Sequence, residues 1–232
     1  MTDMEPGSEA WLAKVQEEII EPDLPIIDPH HHLWQRPGLS PYLLKDFWAD
    51  TGSGHNVVKS VFVECRSEYR TEGPEHERSL GETEFVAEQA QLSEQDPAQA
   101  TIAGIVGHVD LNRSEGLEDL LNRHIDLAGG RFRGIRDYGA WSEHPEAQRI
   151  PGRAARDHYE RPAFRAGVNL LGRMGLSFDT WHFHYQNREF IELAQACPDT
   201  TIILDHFGTP LGVGPYADRK AEIFAAWQQD IA

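Results

Sequence analysis

The chain has 232 residues, 40% hydrophobic and 25% charged, with 38 Asp and Glu against 21 Lys and Arg and a formal net charge of −17. That length suits one large domain with a substantial core, and the acidic balance argues against general binding to nucleic acid or anionic membrane, which needs surplus Lys and Arg. No apolar run approaches the roughly 20 residues of a membrane span. The start, with Asp3, Glu5 and Glu9, lacks a secretory pattern, and Cys65 and Cys197 are too few for a disulfide framework. A cytoplasmic location is the expectation.

In chain order, residues 1–22 place Trp11, Leu12, Val15, Ile19 and Ile20 at helical spacing, predicting a helical extension packed outside the domain that occupies 23–232. Leu24–Asp28 reads as the first strand and Val57–Val63 as the second. Glu82–Gln95 then has helical periodicity, with Phe85, Val86, Ala90 and Leu92 among Glu and Gln. A strand over Thr101–Val109, a helix over Leu117–Leu127 and a strand over Phe132–Arg136 follow. Gly139–Glu160, charged, aromatic and Pro-containing, reads as a loop over the site. Pro162 opens a helix to Arg173 from a first-turn position, where its missing N–H costs little. Leu176–Thr180 and Thr201–Leu204 complete the strands, with helices at Asn187–Cys197 and Asp218–Ile231.

Repeated strand–helix alternation means parallel strands joined by helical crossovers. The spacing suits a closed barrel or a doubly wound open sheet. No Gly-rich nucleotide loop follows the first strand; His30, His31 and His32 stand there instead. In an extended chain His30 and His32 project to one side and His31 to the other. Two imidazoles on one face at a strand end could form the first ligand pair of a divalent metal, and a histidine-rich turn packed on Trp34 is the plainer alternative. Other strand ends carry Glu64, Arg136, the Asp179–His184 stretch and Asp205-His206, and in a barrel such ends converge on the catalytic face. Asp28 could orient a histidine or simply accept a backbone N–H. Glu64 is a site carboxylate or the partner of Arg66 or Arg136. Arg136 could fork onto a substrate carboxylate or lactone carbonyl, or pair with Asp137 or Glu64. Of His182 and His184, one is expected at the surface. His55, His76, His108, His124, His144 and His158 are assigned to structure or surface.

The blocks Ile27–Trp34, Phe132–Arg136, Leu176–Asp179 and Leu204–Pro210 together resemble the amidohydrolase-related lactonases, the branch that includes L-fuconolactonase, L-rhamnonolactonase and pyrone-dicarboxylate lactonase. The resemblance implies an α/β fold of (β/α)8 TIM-barrel type with about six βα units in this chain, strands 7 and 8 and an eighth-strand Asp base being expected but not found. It implies hydrolysis of a lactone or ester of a small sugar acid or aromatic acid by activated water. Amide hydrolysis, decarboxylation and non-catalytic ligand binding are the alternatives. It further implies His206, Arg136 and Asp179 as catalytic residues, Arg133, Glu64, Trp181 and His184 as substrate contacts, and His30 and His32 as metal ligands. Members differ in metal use: a single divalent ion, zinc suiting imidazole best, or none. A small-molecule substrate is the expected partner, with homo-oligomerisation left open.

Overall fold

Six short β-branched or apolar segments become strands, and the amphipathic segments between them become the helices that cover one face of the sheet. The computed structural model describes residues 8–36, 38–147 and 152–232. The strands are β1 (Ile26–His31), β2 (Val57–Val63), β3 (Thr101–Gly107), β4 (Phe132–Arg136), β5 (Ser177–Thr180) and β6 (Ile202–Leu204). All neighbours are parallel and the spatial order follows the sequence, β1 to β6. The helices are α1 (Glu9–Leu12), α2 (Leu44–Thr51), α3 (Leu80–Ser93), α4 (Leu117–Leu127), α5 (Pro162–Arg173), α6 (Asn187–Ala196) and α7 (Lys220–Ile231). This is a curled half-barrel, the greater part of a (β/α)8 architecture.

Phe62, Ile102, Ile105, Ile135 and Phe178 from the strands meet Phe47, Leu80, Val86, Leu121, Phe164 and Leu171 from the helices in one continuous core. Close approach of two strands fixes Gly134: a Cβ there would collide with the backbone and hydroxyl of Ser177 on β5. None of the helices among the described residues is long and apolar enough to cross a membrane.

Two features depart from the sequence expectation. The expected N-terminal helix shrinks to the single turn α1, with Val15 and Ile20 70% and 93% exposed; residues 1–7 of that extension lie outside the described residues. A helix of that length is marginal in water unless a neighbour covers its apolar stripe, and here Trp11, Leu12, Val15 and Ile20 are all exposed. Conversely, α2 was not foreseen. Leu43 caps its start, its N–H donating to the Asp46 carboxylate (2.9 Å), and the helix turns Leu44 and Phe47 inward.

Candidate active site

β1 pairs with β2 through an irregularity between Asp28 and His31, where Pro29 has no N–H to offer the ladder. Beyond it the side chains divide as alternation suggests. His31 turns to the helix side, stacked on Phe47 at 4.5 Å, with Nδ1 3.0 Å from the Val61 carbonyl. His30 and His32 turn the other way, their Nε2 atoms 3.3 Å apart. Asp28 accepts the backbone N–H of His30 (3.1 Å) rather than an imidazole. His32 Nδ1 lies 2.7 Å from the Val63 carbonyl, so Nδ1 carries the proton and Nε2 presents its lone pair to the cleft. Burial pushes the His32 pKa down to about 4, keeping the ring neutral at ordinary pH.

Side chains just past the last strand in the sheet order meet one on the first. In a flat sheet, β1 and β6 would lie about 24 Å apart at the usual strand spacing. Yet His30 Nδ1 is 3.7 Å from Asp205 Oδ1, and the His30 and His206 rings are 5.2 Å apart. Curling of the sheet is what joins them. Beyond β6 the chain makes a left-handed turn: φ is positive at His206 (53°), Phe207 (54°), Gly208 (66°) and Thr209 (40°). Such a backbone costs roughly 1–2 kcal/mol at each non-glycine residue, so other contacts must hold it. Trp227 Nε1–H donates to the Phe207 carbonyl (2.6 Å). A Cβ on Gly208 would lie 2.9 Å from Asn187 Oδ1, an atom that is itself 3.0 Å from His182 Nε2. His182 is thus a fully buried support for the turn.

Arg136 occupies the centre. Its Nε–H donates to Glu64 Oε1 (3.0 Å) and its Nη2 to the Glu64 backbone carbonyl, while Nη1 lies 3.3 Å from His30 Nε2 and 3.6 Å from Asp205 Oδ2. Of the two roles open to Glu64, partnership with Arg136 is what the geometry shows, in the wall of the same cleft. Asp179 is buried on β5 with Oδ1 accepting from Ser177 Oγ (3.0 Å). Desolvation, then the Asp205 charge, pushes its pKa up to about 6. Burial lowers that of His206. Trp181 lines a cleft of about 640 Å³ with His32, Arg36, Arg136, Tyr138 and Arg153. Tyr138 and Arg153 flank or belong to the segment expected to overlie the site; its residues 148–151 lie outside the described residues.

Two residues expected to contact substrate lie away from the cleft lined by His32 and Arg136. Arg133 sits at the opposite end of the sheet from Arg136, donating to the carbonyls of Gly130 and Phe132 (both 2.9 Å) beside the entering ends of β5 and β6. It begins its strand, whereas Arg136 ends it. His184 lies beyond the end of β5, so strand alternation does not reach it. Its Nδ1 accepts the Leu211 N–H (3.3 Å), and it packs on Tyr185 and Tyr216 in a second apolar cluster.

The metal-capable set also differs from the expected His30–His32 pair. His30, Asp205 and His206 each bring a ligand atom within 4.8 Å of the others, and His32 stands beside this triplet rather than in it. Asp205 carries a buried Oδ2 without a hydrogen-bond partner among the described residues. Two imidazoles and a carboxylate with one desolvated oxygen fit a divalent ion. Sequence reading noticed Asp205 but gave it no role. His108 was set aside as structural, and its Nδ1 lies 2.9 Å from the Arg136 carbonyl.

The amidohydrolase family model matches residues 27–229. The chain belongs to the amidohydrolase family. It is 32% identical over 215 residues to y4mH of Sinorhizobium fredii, itself uncharacterised, a match covering 80% of this chain and 63% of that protein. The chain therefore spans a little under two thirds of this relative's length. A Burkholderia multivorans amidohydrolase is similar in two crystals, one with bound HEPES (TM-score 0.63, 22% identity) and one with bound zinc (TM-score 0.64, 20% identity), each match covering 88% of this chain and 64% of that one. A Pseudomonas putida protein provisionally assigned as a 2-pyrone-4,6-dicarboxylic acid hydrolase aligns with TM-score 0.50 at 15% identity, over 88% of this chain and 75% of its own. At these identities the solved structures speak to the fold of this amidohydrolase.

Proposed function

We propose that this amidohydrolase carries most of the active site of an enzyme that opens a lactone or ester of a small sugar acid or aromatic acid by attack of water. The observation that carries this reading is the meeting of His30, Asp205, His206 and Arg136 at one mouth, although β1 and β6 stand at opposite ends of the sheet order. The lactonase-like motifs, and the hydrolase assignment given to the Pseudomonas protein, support the substrate class.

Arg136 Nη1 and His206 would face the carbonyl oxygen and stabilise the charge that develops on it, from positions fixed by Glu64 and by the left-handed turn. Glu64 aims the guanidinium and leaves only Nη1 free to follow that charge. The resemblance assigns the general base to an Asp on an eighth strand, a position outside the six strands described. Within them Asp179, held up to about 6, is the carboxylate best matched to take a proton near neutral pH. His30, Asp205 and His206, with His32 alongside, would hold one divalent ion, zinc being the natural choice given its presence in the Burkholderia relative. Such an ion supplies Lewis-acid polarisation of the carbonyl and of water.

One observation favours a second, metal-independent version of the same reaction. Arg136 Nη1 already lies within 3.6 Å of Asp205 Oδ2 and 3.3 Å of His30 Nε2, so a guanidinium can supply the cation there.

The test is a panel of sugar-acid and aromatic-acid lactones assayed by proton release, with the protein metal-supplemented or chelator-treated and its metal content measured. Hydrolysis that falls at least 100-fold in Asp205→Asn is expected. One metal equivalent with chelator sensitivity selects the first version, and undiminished activity after chelation selects the second. A panel without any hydrolysis, or an undiminished Asp205→Asn, overturns the proposal.

A further inference from the structure

Beside the His30–His206 cleft lies a second cavity of about 670 Å³, between the chain leaving β2 and the chain leaving β3. The guanidiniums of Arg66, Arg78 and Arg113 open onto it together with Tyr69 and His76, while Glu75 and Asp110 are the acidic residues of its wall. Of the sixteen arginines among the described residues, Arg70, Arg123, Arg131, Arg136, Arg161 and Arg219 lie within salt-bridge distance of a carboxylate. Among the described residues, no carboxylate lies within salt-bridge distance of Arg66, Arg78 or Arg113. Asp110 is engaged instead by the N–H and side-chain amide of Asn112 (both 3.0 Å).

The donors here are also desolvated. Arg78 Nε, Arg113 Nε and the Tyr69 hydroxyl are buried without a hydrogen-bond partner among the described residues. Unpaired buried donors are rare because their lost hydration goes uncompensated. Guanidinium groups have no acceptor to offer one another, so these three arginines cannot satisfy themselves. The complement to several converging N–H donors and surplus positive charge is an oxyanion with two or three acceptor oxygens.

The cavity shares one lining residue with the cleft of His32, Arg136 and Trp181. Arg66 lines both, and it also lines a smaller pocket of about 190 Å³ with His108, Tyr138, Arg153 and His158. Its position is strained: φ is 62° at Arg66 and 51° at Glu68. Buried Glu82 holds that strain in place, Oε1 accepting the N–H groups of Cys65 (3.0 Å) and Ser67 (2.7 Å) on either side of Arg66.

We propose that the Arg66–Arg78–Arg113 cavity is an anion subsite, receiving a carboxylate or phosphate group carried by the same molecule whose reacting carbonyl enters the His30–His206 cleft. The proposal rests on the reading of that cleft as the reaction site and adds a substrate class to it: lactones or esters bearing a second, anionic arm.

Calorimetric titration with inorganic phosphate and, separately, with succinate tests it without any assay of turnover and distinguishes the two sources of anion. At least one probe should bind saturably to the wild-type protein, at least tenfold more weakly to Arg78→Gln/Arg113→Gln, and within threefold of wild type to Arg136→Ala. As a check that needs no variant, the probe should protect Arg78 and Arg113 from phenylglyoxal at least tenfold relative to exposed Arg161 and Arg219, read by mass spectrometry. No binding of either probe, unchanged binding by the double variant, or no protection overturns the subsite. Binding lost only in Arg136→Ala also overturns it, moving the anion into the cleft and leaving the hydrolase reading intact.

Discussion

Arg136 shows how one side chain can be fixed by a buried partner and still present a donor to the proposed site. It is 8% exposed, and two of its three nitrogens are committed to Glu64, itself 3% exposed, so that only Nη1 reaches the histidines and Asp205. Arg136→Ala should therefore lower kcat/KM by about 10²–10³-fold, the usual effect of losing a preorganised oxyanion donor. It should also cost stability, because Glu64 is left buried and unpaired; breaking a buried pair from one side costs roughly 3–5 kcal/mol. The two effects separate in Arg136→Met/Glu64→Gln, which should regain most of the stability in urea denaturation and none of the activity. Recovery of activity in that double variant would show that the guanidinium acts only as a structural partner. At the same scale, Glu82 is a buried acid whose pKa burial raises to about 7, with the Glu64 charge adding to the effect. The folded state thus holds a proton that the unfolded state releases near its ordinary value of 4.5. Stability from this group is present below that value and is lost as pH rises through about 7. Glu82→Gln keeps an acceptor for Cys65 and Ser67 without the ionisation. Its melting temperature relative to wild type should rise between pH 5 and pH 8; a constant difference would contradict the assignment.

The elements that present the site are held by their neighbours more than by their own preferences. The turn after β6 places three non-glycine residues in left-handed backbone, and Phe207 is 75% exposed, so its ring contributes little to the core. Phe207→Gly should stabilise the protein by up to about 1 kcal/mol in denaturant titration, since glycine adopts this backbone freely. It should also loosen His206 and reduce turnover, and destabilisation would show that the Phe207 ring packs where the structure shows it exposed. Between β4 and β5 the tolerance runs the other way. Gly134→Ala must push a methyl into Ser177, and overpacking of this kind typically costs about 1–3 kcal/mol. The displaced strand end carries Arg136, so activity should fall with stability, and a silent Gly134→Ala would imply that β4 can shift without disturbing the site.

At the scale of the whole molecule, curl brings the candidate site residues together and leaves two edges among the described strands. β1 and β6 are terminal in the sheet, and each carries a large apolar side chain in the open, Ile27 at 62% and Ile203 at 42% exposure. Unpaired strand edges with exposed apolar residues invite pairing between chains. The chain should therefore self-associate with rising concentration in light scattering, and Ile203→Lys should shift it toward monomer. Concentration-independent monomers of the unaltered chain would show that these edges are protected in solution.

Much of this was legible in the sequence because local rules sufficed. β-Branched runs alternating with amphipathic stretches gave β2, α4, β4 and α5 to the residue, since period and capping are properties of neighbours along the chain. Alternation likewise separated His31 from His30 and His32. The N-terminal stripe misled because an apolar face makes a helix only where something covers it. His184 misled because alternation stops where the strand stops. What the sequence left open is which partner each strand-end residue takes. Asp205 becomes part of the metal-capable set, and Glu64 the partner of Arg136, only because the sheet curls enough to bring β6 to β1 and β2 to β4. The sequence by itself determined the order of strands and helices and the residue types waiting at their ends. Tertiary structure decided which of the pairings open at those ends is realised, because strand curvature is set by packing across the whole sheet rather than by any segment of it.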